Sequence, residues 1–316
     1  MDKEILYIVV PCYNEQEVLP ETCKRLTAKL SGLIEKGEIA EESRVLFVDD
    51  GSSDQTWSLI SRYHEMDKLV SGLKLSRNRG HQNALLAGLM TARDNADIAV
   101  SLDADLQDDV EAIDEFISQY REGCDVVYGV RSSREKDTFF KRRSAECFYR
   151  LMSWMGAEVV YNHADYRLMS KRALDALSKF KETNLFLRGI VPLIGFKAGF
   201  VSYERQERFA GKSKYPLRKM LSFAAEGIFS FSIKPIKMIA SLGAIVFTVS
   251  IIMLIYALVS HAMGVTVQGW TSILFSVWAI GGLQLLSIGI IGEYIGKIYL
   301  ETKSRPKYII EKFLNE

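Results

Sequence analysis

The sequence predicts an α/β protein, a Rossmann-like and mainly parallel sheet domain followed by a helical segment built to sit in a membrane. Three observations carry this reading. Short apolar runs alternate with helical patterns through the first 130 residues. The residue types that do chemistry cluster where those runs end. From Met238 to Gly292 there is no Asp, Glu, Lys or Arg, in a chain whose residues are 25% charged.

The first strand is Ile5-Leu6-Tyr7-Ile8-Val9-Val10 and the second is Val45-Leu46-Phe47-Val48. Leu73-Lys74-Leu75 is a weaker third, Ile98 to Leu102 a fourth and Val126 to Val130 a fifth. Helical patterns near 16–31, 55–66, 82–94 and 109–122 separate them. Continuous apolar strands alternating with helices imply a parallel sheet covered on both faces. Ligands bind such sheets at the carboxyl ends of the strands.

Within the charge gap, two apolar stretches, about 236–259 and 271–291, are each long enough at ~1.5 Å per residue to cross a ~30 Å hydrocarbon core. Lys and Arg flank both stretches on their outer sides, and the connecting loop has none. The positive-inside rule then puts both ends of the hairpin in the cytoplasm. Two basic amphipathic patterns, from Phe140 to Met155 and after Pro216, read as interfacial helices. The N-terminal apolar run is too short for a signal peptide, so the sheet domain is expected to stay cytoplasmic. The four cysteines are scattered without metal-ligand spacing and suit a reducing compartment. A net charge of +1 gives no bias toward nucleic acid. The expected organisation is a sheet domain over 1–210, a loop and interfacial helix over 211–234, the two spans within 235–296 and a basic cytoplasmic tail over 297–316.

The first strand ends in Pro11-Cys12-Tyr13-Asn14-Glu15, the second in Asp49-Asp50-Gly51-Ser52-Ser53-Asp54, and the fourth in Asp103-Ala104-Asp105-Leu106-Gln107-Asp108. No glycine-rich phosphate loop follows the first strand, which disfavours dinucleotide and P-loop chemistry. A nucleoside diphosphate then needs its charge neutralised otherwise. Asp-x-Asp at a strand exit offers hard oxygen ligands to Mg²⁺ or Mn²⁺ and leaves coordination positions open for diphosphate oxygens.

The segments VVPCYNEQE, VDDGSSDQT, NRGHQNALLAGL, DADLQDD, ADYRLMS and RFAGKSKY, in this order, resemble those of inverting GT-A glycosyltransferases of family 2. They are most similar to the branch with dolichol-phosphate mannose synthase and the bactoprenol (undecaprenyl-phosphate) glucosyltransferases, and the resemblance spans essentially the whole chain. It implies that Pro11, Tyr13, Glu15 and Val48 line a nucleotide pocket and that Asp50 receives the base edge. It implies that Asp103 and Asp105 hold the metal with Gln107 added, and that Ala104 touches the nucleotide. It gives Arg131 a place facing the phosphates, Asp165 the place of the acidic residue proposed as base, and Arg208 and Lys214 a mobile acceptor loop closing over the diphosphate. Tyr166 stands where the family more often has Phe.

The implied reaction is inverting transfer of a sugar, glucose as best guess, from a UDP-sugar to undecaprenyl phosphate at the cytoplasmic face of a bilayer, by a homo-oligomer (a tetramer in relatives). UDP-N-acetylglucosamine or another nucleotide sugar is the alternative donor, and a non-catalytic membrane scaffold is the alternative class. A processive polysaccharide synthase would want a Gln-x-x-Arg-Trp motif that is absent. A phosphate monoester, with a second pKa of about 6, arrives largely ionised. Asp165 is therefore expected either as a base or as a positioning residue.

Overall fold

The computed structural model describes residues 3–131, 163–182, 186–204 and 270–315, with scattered positions between 236 and 263. The described residues form two compact units. The first contains 3–131, 163–182, 186–204 and 305–315; the second contains the helical residues up to 304.

The first unit is an eight-stranded sheet. In chain order its elements are β1 (Leu6–Cys12), α1 (Leu19–Glu35), β2 (Arg44–Asp49), α2 (Thr56–Met66), β3 (Val70–Leu75), α3 (His81–Asn95), β4 (Ile98–Ser101), α4 (Ala112–Arg121), β5 (Val126–Arg131), β6 (His163–Ser170), α5 (Lys171–Leu177), α6 (Leu187–Leu193) and β7 (Ala198–Tyr203). After the second unit's long helix, α7 (Trp270–Lys303), the chain returns as β8 (Ile310–Leu314). The strand order is β7-β5-β6-β4-β1-β2-β3-β8.

Strands β1 to β4 pair in parallel, as their unbroken apolar runs require. The sheet as a whole is mixed, because β6 inserts antiparallel between β4 and β5. β8 adds a further antiparallel edge beside β3. Alternation along β1 sorts the core. Leu6, Ile8 and Val10 join Leu19, Leu26 and Leu30 of α1 and Phe116 of α4 in one buried cluster. On the opposite face α3 lies against β1 and β2. There Gly88 leaves no room for a side chain, since a Cβ would run into Val9 Cγ1 and would lie 2.7 Å from Val48 Cγ2. Gly88→Ala is expected to push α3 off the sheet and to cost about 1–3 kcal/mol by overpacking. A lowered denaturant midpoint in equilibrium unfolding checks this.

The stretch read as a basic tail contains the end of a helix and a strand. Residues 297–303 belong to α7, and β8 carries the tail onto the sheet. Lys74 pairs with Glu311 at 2.9 Å, and the Asn315 Oδ1 accepts from Tyr7 Oη (3.0 Å) and Ser71 Oγ (3.1 Å).

In the second unit α7 runs 34 residues. Ile273, Val277, Ile280, Ile288, Ile291, Ile295 and Ile298 on it are exposed. Several side chains of this helix lie outside the described residues, and among those described no helix is long and apolar enough to cross a membrane. The described positions of 236–259 are helical. The two expected interfacial helices, Arg208, Lys214 and the 210/211 boundary lie outside the described residues.

Candidate functional site

The exits of β1, β2 and β4 and the start of α3 converge at the carboxyl end of the parallel strands. The β1 and β2 loops are tied together first. Asn14 takes a left-handed conformation (φ 53°), which asparagine tolerates better than most side chains. Its backbone N–H donates to Ser52 Oγ at 3.0 Å, and its Oδ1 accepts from Ser53 N at 2.9 Å. Glu15 N donates to Thr56 Oγ1 at 2.9 Å. Tyr13, 43% exposed, is left standing over the loops.

Asp50 is buried and already committed. Its two oxygens accept from the backbone N–H groups of Arg79 (2.7 Å) and Gly80 (2.8 Å). Burial pushes its carboxyl up, and those two donors oppose the shift. Expected to receive a base edge, Asp50 is seen here fastening the 77–80 loop that starts α3. Gly51 makes the approach possible, with φ +66° and a hypothetical Cβ only 2.6 Å from Arg77 C and Asn78 N. Gly51→Ala is expected to displace this loop at a strain cost of about 1–3 kcal/mol, read as a lowered denaturant midpoint in equilibrium unfolding.

The acidic loop after β4 is anchored near its start and braced by a turn within it. Thr22 Oγ1 donates to Ala104 O at 2.8 Å, and Gln107 N donates to Asp105 Oδ1 at 3.3 Å. Leu106, at φ 57°, turns the chain so that Asp108 points inward. There Asp108 accepts from Tyr203 Oη at 2.5 Å and lies 3.6 Å from Arg131 Nη2. Arg131 also donates from Nε to Tyr203 Oη at 3.4 Å. Tyr166 donates to Asp109 O at 2.7 Å, so its hydroxyl, which a Phe would lack, ties β6 to the same loop.

Asp103, just beyond β4, has a carboxyl pushed up to about 6. Burial is the largest cause, and Asp108, Asp165 and Asp105 add to it against His81. His81 Nε2 lies 3.6 Å from Asp103 Oδ1 and 3.5 Å from Asp165 Oδ2, bridging the two carboxylates. Burial would depress the imidazole, but Asp165 and Asp103 outweigh it and hold it protonated to higher pH.

Asp165, on β6, is gripped from several sides. Arg167 Nη2 donates at 2.6 Å, Arg188 Nη2 at 3.1 Å and Nε at 3.3 Å, and Gln82 Nε2 at 3.3 Å. Burial alone would raise its carboxyl; Arg188, His81 and Arg167 hold it well below the usual carboxylate range.

The structure therefore brings Tyr13, Glu15, Asp50, Asp103, Asp105, Gln107, Arg131 and Asp165 to this end of the sheet. Two expected pocket residues are placed differently. Val48 is fully buried against α3, and Pro11 is buried in β1 opposite it, because both lie within paired strand rather than beyond it. Ala104 is likewise buried, and it is its carbonyl that takes part in the anchoring. His81, Gln82, Asp108, Arg188 and Tyr203 belong to the arrangement and were not singled out as site residues. Of these, His81 and Gln82 stand inside the motif NRGHQN, but nothing in its spacing points to Asp103 or Asp165.

Two carboxylates and an amide oxygen fit Mg²⁺ or Mn²⁺. Among the described residues no cluster of three or more His, Cys, Asp or Glu side chains is arranged to hold a metal alone. Such ions are commonly held by one or two carboxylates together with substrate phosphates. Burial and the neighbouring carboxylates raise Asp103, and a bound cation would offset the repulsion among those carboxylates, which supports the assignment.

The model of the family described as glycosyl transferase family 2 matches residues 7–178. The chain is 56% identical over 307 residues to the uncharacterized glycosyltransferase YkoT of Bacillus subtilis, covering 97% of this chain and 91% of that one. It is 39% identical over 308 residues to the bactoprenol glucosyl transferase of Shigella phage SfII, covering 96% and 97%. Among solved structures, glucosyl-3-phosphoglycerate synthase from Mycobacterium tuberculosis overlaps at a TM-score of 0.48 and 18% identity, over 72% of this chain and 79% of that one, too loosely to carry an argument.

Proposed function

The chain belongs to glycosyl transferase family 2 and is a glycosyltransferase, and on that premise we propose that it moves a hexose, glucose first, from a UDP-sugar to undecaprenyl phosphate with inversion. The observation that carries this reading is the extent of the likeness to bactoprenol glucosyl transferase, 96% of this chain and 97% of that one, reaching beyond the sheet domain through the charge-free segment. The acceptor named there is a polyprenyl lipid, and a lipid acceptor fits a chain whose residues 238–292 lack charge and whose α7 exposes a series of isoleucines. In this reading 236–259 and 271–291 anchor the enzyme in the cytoplasmic membrane, with both termini and the sheet domain on the cytoplasmic side and the protein a homo-oligomer.

Asp103, Asp105 and Gln107 would hold a divalent cation, which supplies charge stabilisation for the departing nucleoside diphosphate. Arg131, fixed by Asp108 and Tyr203, adds a cation beside the same loop. Arg208 and Lys214 are proposed to close over the diphosphate from the acceptor loop. Asp165 acts by position. A carboxylate held by two guanidiniums is a poor proton acceptor, and an ionised phosphate needs none removed. Incubating the purified protein with undecaprenyl phosphate, Mn²⁺ and a panel of labelled sugar nucleotides, then extracting lipid, tests the reading. UDP-glucose is expected to label the lipid best. Label from UDP-N-acetylglucosamine alone would reassign the sugar, and label from no donor would remove the transferase assignment.

A further inference from the structure

We infer that His81 is a positioning residue for the metal-binding carboxylate Asp103, and that Asp165 acts on the site through it; the inference rests on the metal assignment made in the transferase reading above. His81 Nε2 stands between two carboxylates, 3.5 Å from Asp165 Oδ2 and 3.6 Å from Asp103 Oδ1. A ring nitrogen that meets an oxygen of each carboxylate carries the hydrogen, because a lone pair there would be repelled by both. The imidazole thus ties β6 to the loop after β4 from the first residue of α3.

The tie is held firmly at its Asp165 end. The backbone leading into His81 is fastened to Asp50 by the N–H groups of Arg79 and Gly80, at 2.7 Å and 2.8 Å. Asp165 is buried, and its Oδ2 also accepts from Gln82 Nε2 at 3.3 Å and Arg188 Nη2 at 3.1 Å. Its Oδ1 accepts from Arg167 Nη2 at 2.6 Å. An oxygen gripped in this way cannot swing, and it fixes the imidazole that meets it.

Asp103 is the end that needs holding. Asp105 is braced by its own loop through Gln107 N, whereas among the described residues His81 is the one basic side chain in contact with the Asp103 carboxylate. Holding Oδ1 against His81 fixes the rotamer of Asp103 and turns Oδ2 to the cation. Losing such an outer partner of a ligating carboxylate costs about 10-fold to 100-fold in metal affinity. A positive imidazole would also compete with the cation for Asp103, an effect of opposite sign. That charge is shared with Asp165, which is as near, so orientation outweighs competition. Asp165 then needs neither to touch the metal nor to take a proton.

The test uses the full chain in detergent with UDP present. Mn²⁺ affinity is read from the loss of the free-ion electron paramagnetic resonance signal, with a melting curve on each variant. His81→Leu should weaken Mn²⁺ binding by about 10-fold to 100-fold. Two amides separate a lost bridge from a damaged fold. The glutamine nitrogen reaches as far as Nε2 and carries two hydrogens, one for each carboxylate, so His81→Gln should restore most of the affinity. His81→Asn stops short of both oxygens and should bind as weakly as His81→Leu, at the melting temperature of His81→Gln. Affinity unchanged in the leucine and asparagine variants, or equally weakened in all three, would overturn the inference. Tighter binding by His81→Leu would also overturn it, by marking His81 as a competitor of the metal. A wild type that binds no Mn²⁺ beside UDP would overturn the inference together with the metal assignment. A wild type that binds Mn²⁺ and labels no lipid would remove the transferase reading, and the variant affinities would still decide the role of His81.

Discussion

Asp105→Ala abolishes transfer, lowering kcat/KM by about a thousandfold or more, while the protein stays folded. The size follows from the role proposed for this carboxylate. In that role charge develops on a diphosphate beside Asp103, whose carboxyl the nearby Asp108 and Asp165 already crowd, so a lost metal ligand removes the stabilisation that offsets their repulsion. Preserved folding follows from position. Asp105 stands in the loop after β4, partly exposed, and the bond from Gln107 N to its carboxylate is internal to a turn that Thr22 and Tyr166 anchor independently. Label transfer to extracted lipid and a melting curve, run on the same preparation, check both halves. Activity within tenfold of wild type would mean that Asp105 does not hold the metal.

Asp165→Asn is expected to lose activity and stability together, for a different reason. Arg167 and Asp165 are both buried, 1% and 5% exposed at the side chain, and a neutral partner leaves the guanidinium charge uncompensated. Breaking a buried pair in this way costs about 3–5 kcal/mol, which lowers the melting temperature by about 10 °C. Arg167 has little to fall back on, since its Nε is buried without a hydrogen-bond partner and its Nη1 reaches Leu187 O only at 3.4 Å. The pH dependence follows from the depressed carboxyl of Asp165. A group whose pKa is lower folded than unfolded contributes stability above its unfolded value, near 4, and loses it only as pH falls through the lower folded value. The direct contribution of the Asp165 carboxylate to the gap between wild type and variant is thus full above about pH 4 and lost in strong acid, while the share that His81 gains from Asp165 is present below about pH 6.5 and fades as pH rises through the raised His81 value. Transfer by the variant stays low at every pH between 6 and 9. Recovery at high pH would instead mark Asp165 as a base.

The parts of the fold legible in the sequence are those where burial and chemistry coincide. β1, β2, β4 and β5 are buried strands written as apolar runs, and hydropathy finds them. β6 is buried too, but HADYRLMS carries Asp165 and Arg167 into the interior as a mutually neutralising pair, and a hydropathy pattern counts both as surface. β8 is hidden for another reason. Ile310-Glu311-Lys312-Phe313-Leu314 becomes a strand only because β3, more than two hundred positions earlier, offers an edge. In the site, the acidic cluster was readable because its residues are consecutive. Val48 and Pro11 were placed by motif alone, and a motif does not say whether a side chain lies beyond the strand or within it. His81 and Arg188 escaped because their partners, Asp103 and Asp165, are distant in sequence and meet only when α3 and α6 are laid on the sheet.

The most direct measurement is metal-dependent transfer to lipid. Purified full-length protein, undecaprenyl phosphate and labelled UDP-glucose are combined after EDTA treatment, with and without restored Mn²⁺, and the organic phase is counted. The account predicts label in the lipid only when the metal is restored, bound through an inverted anomeric linkage that mild acid releases. Label appearing equally without metal, or none in the lipid with any metal and any sugar nucleotide, would contradict it.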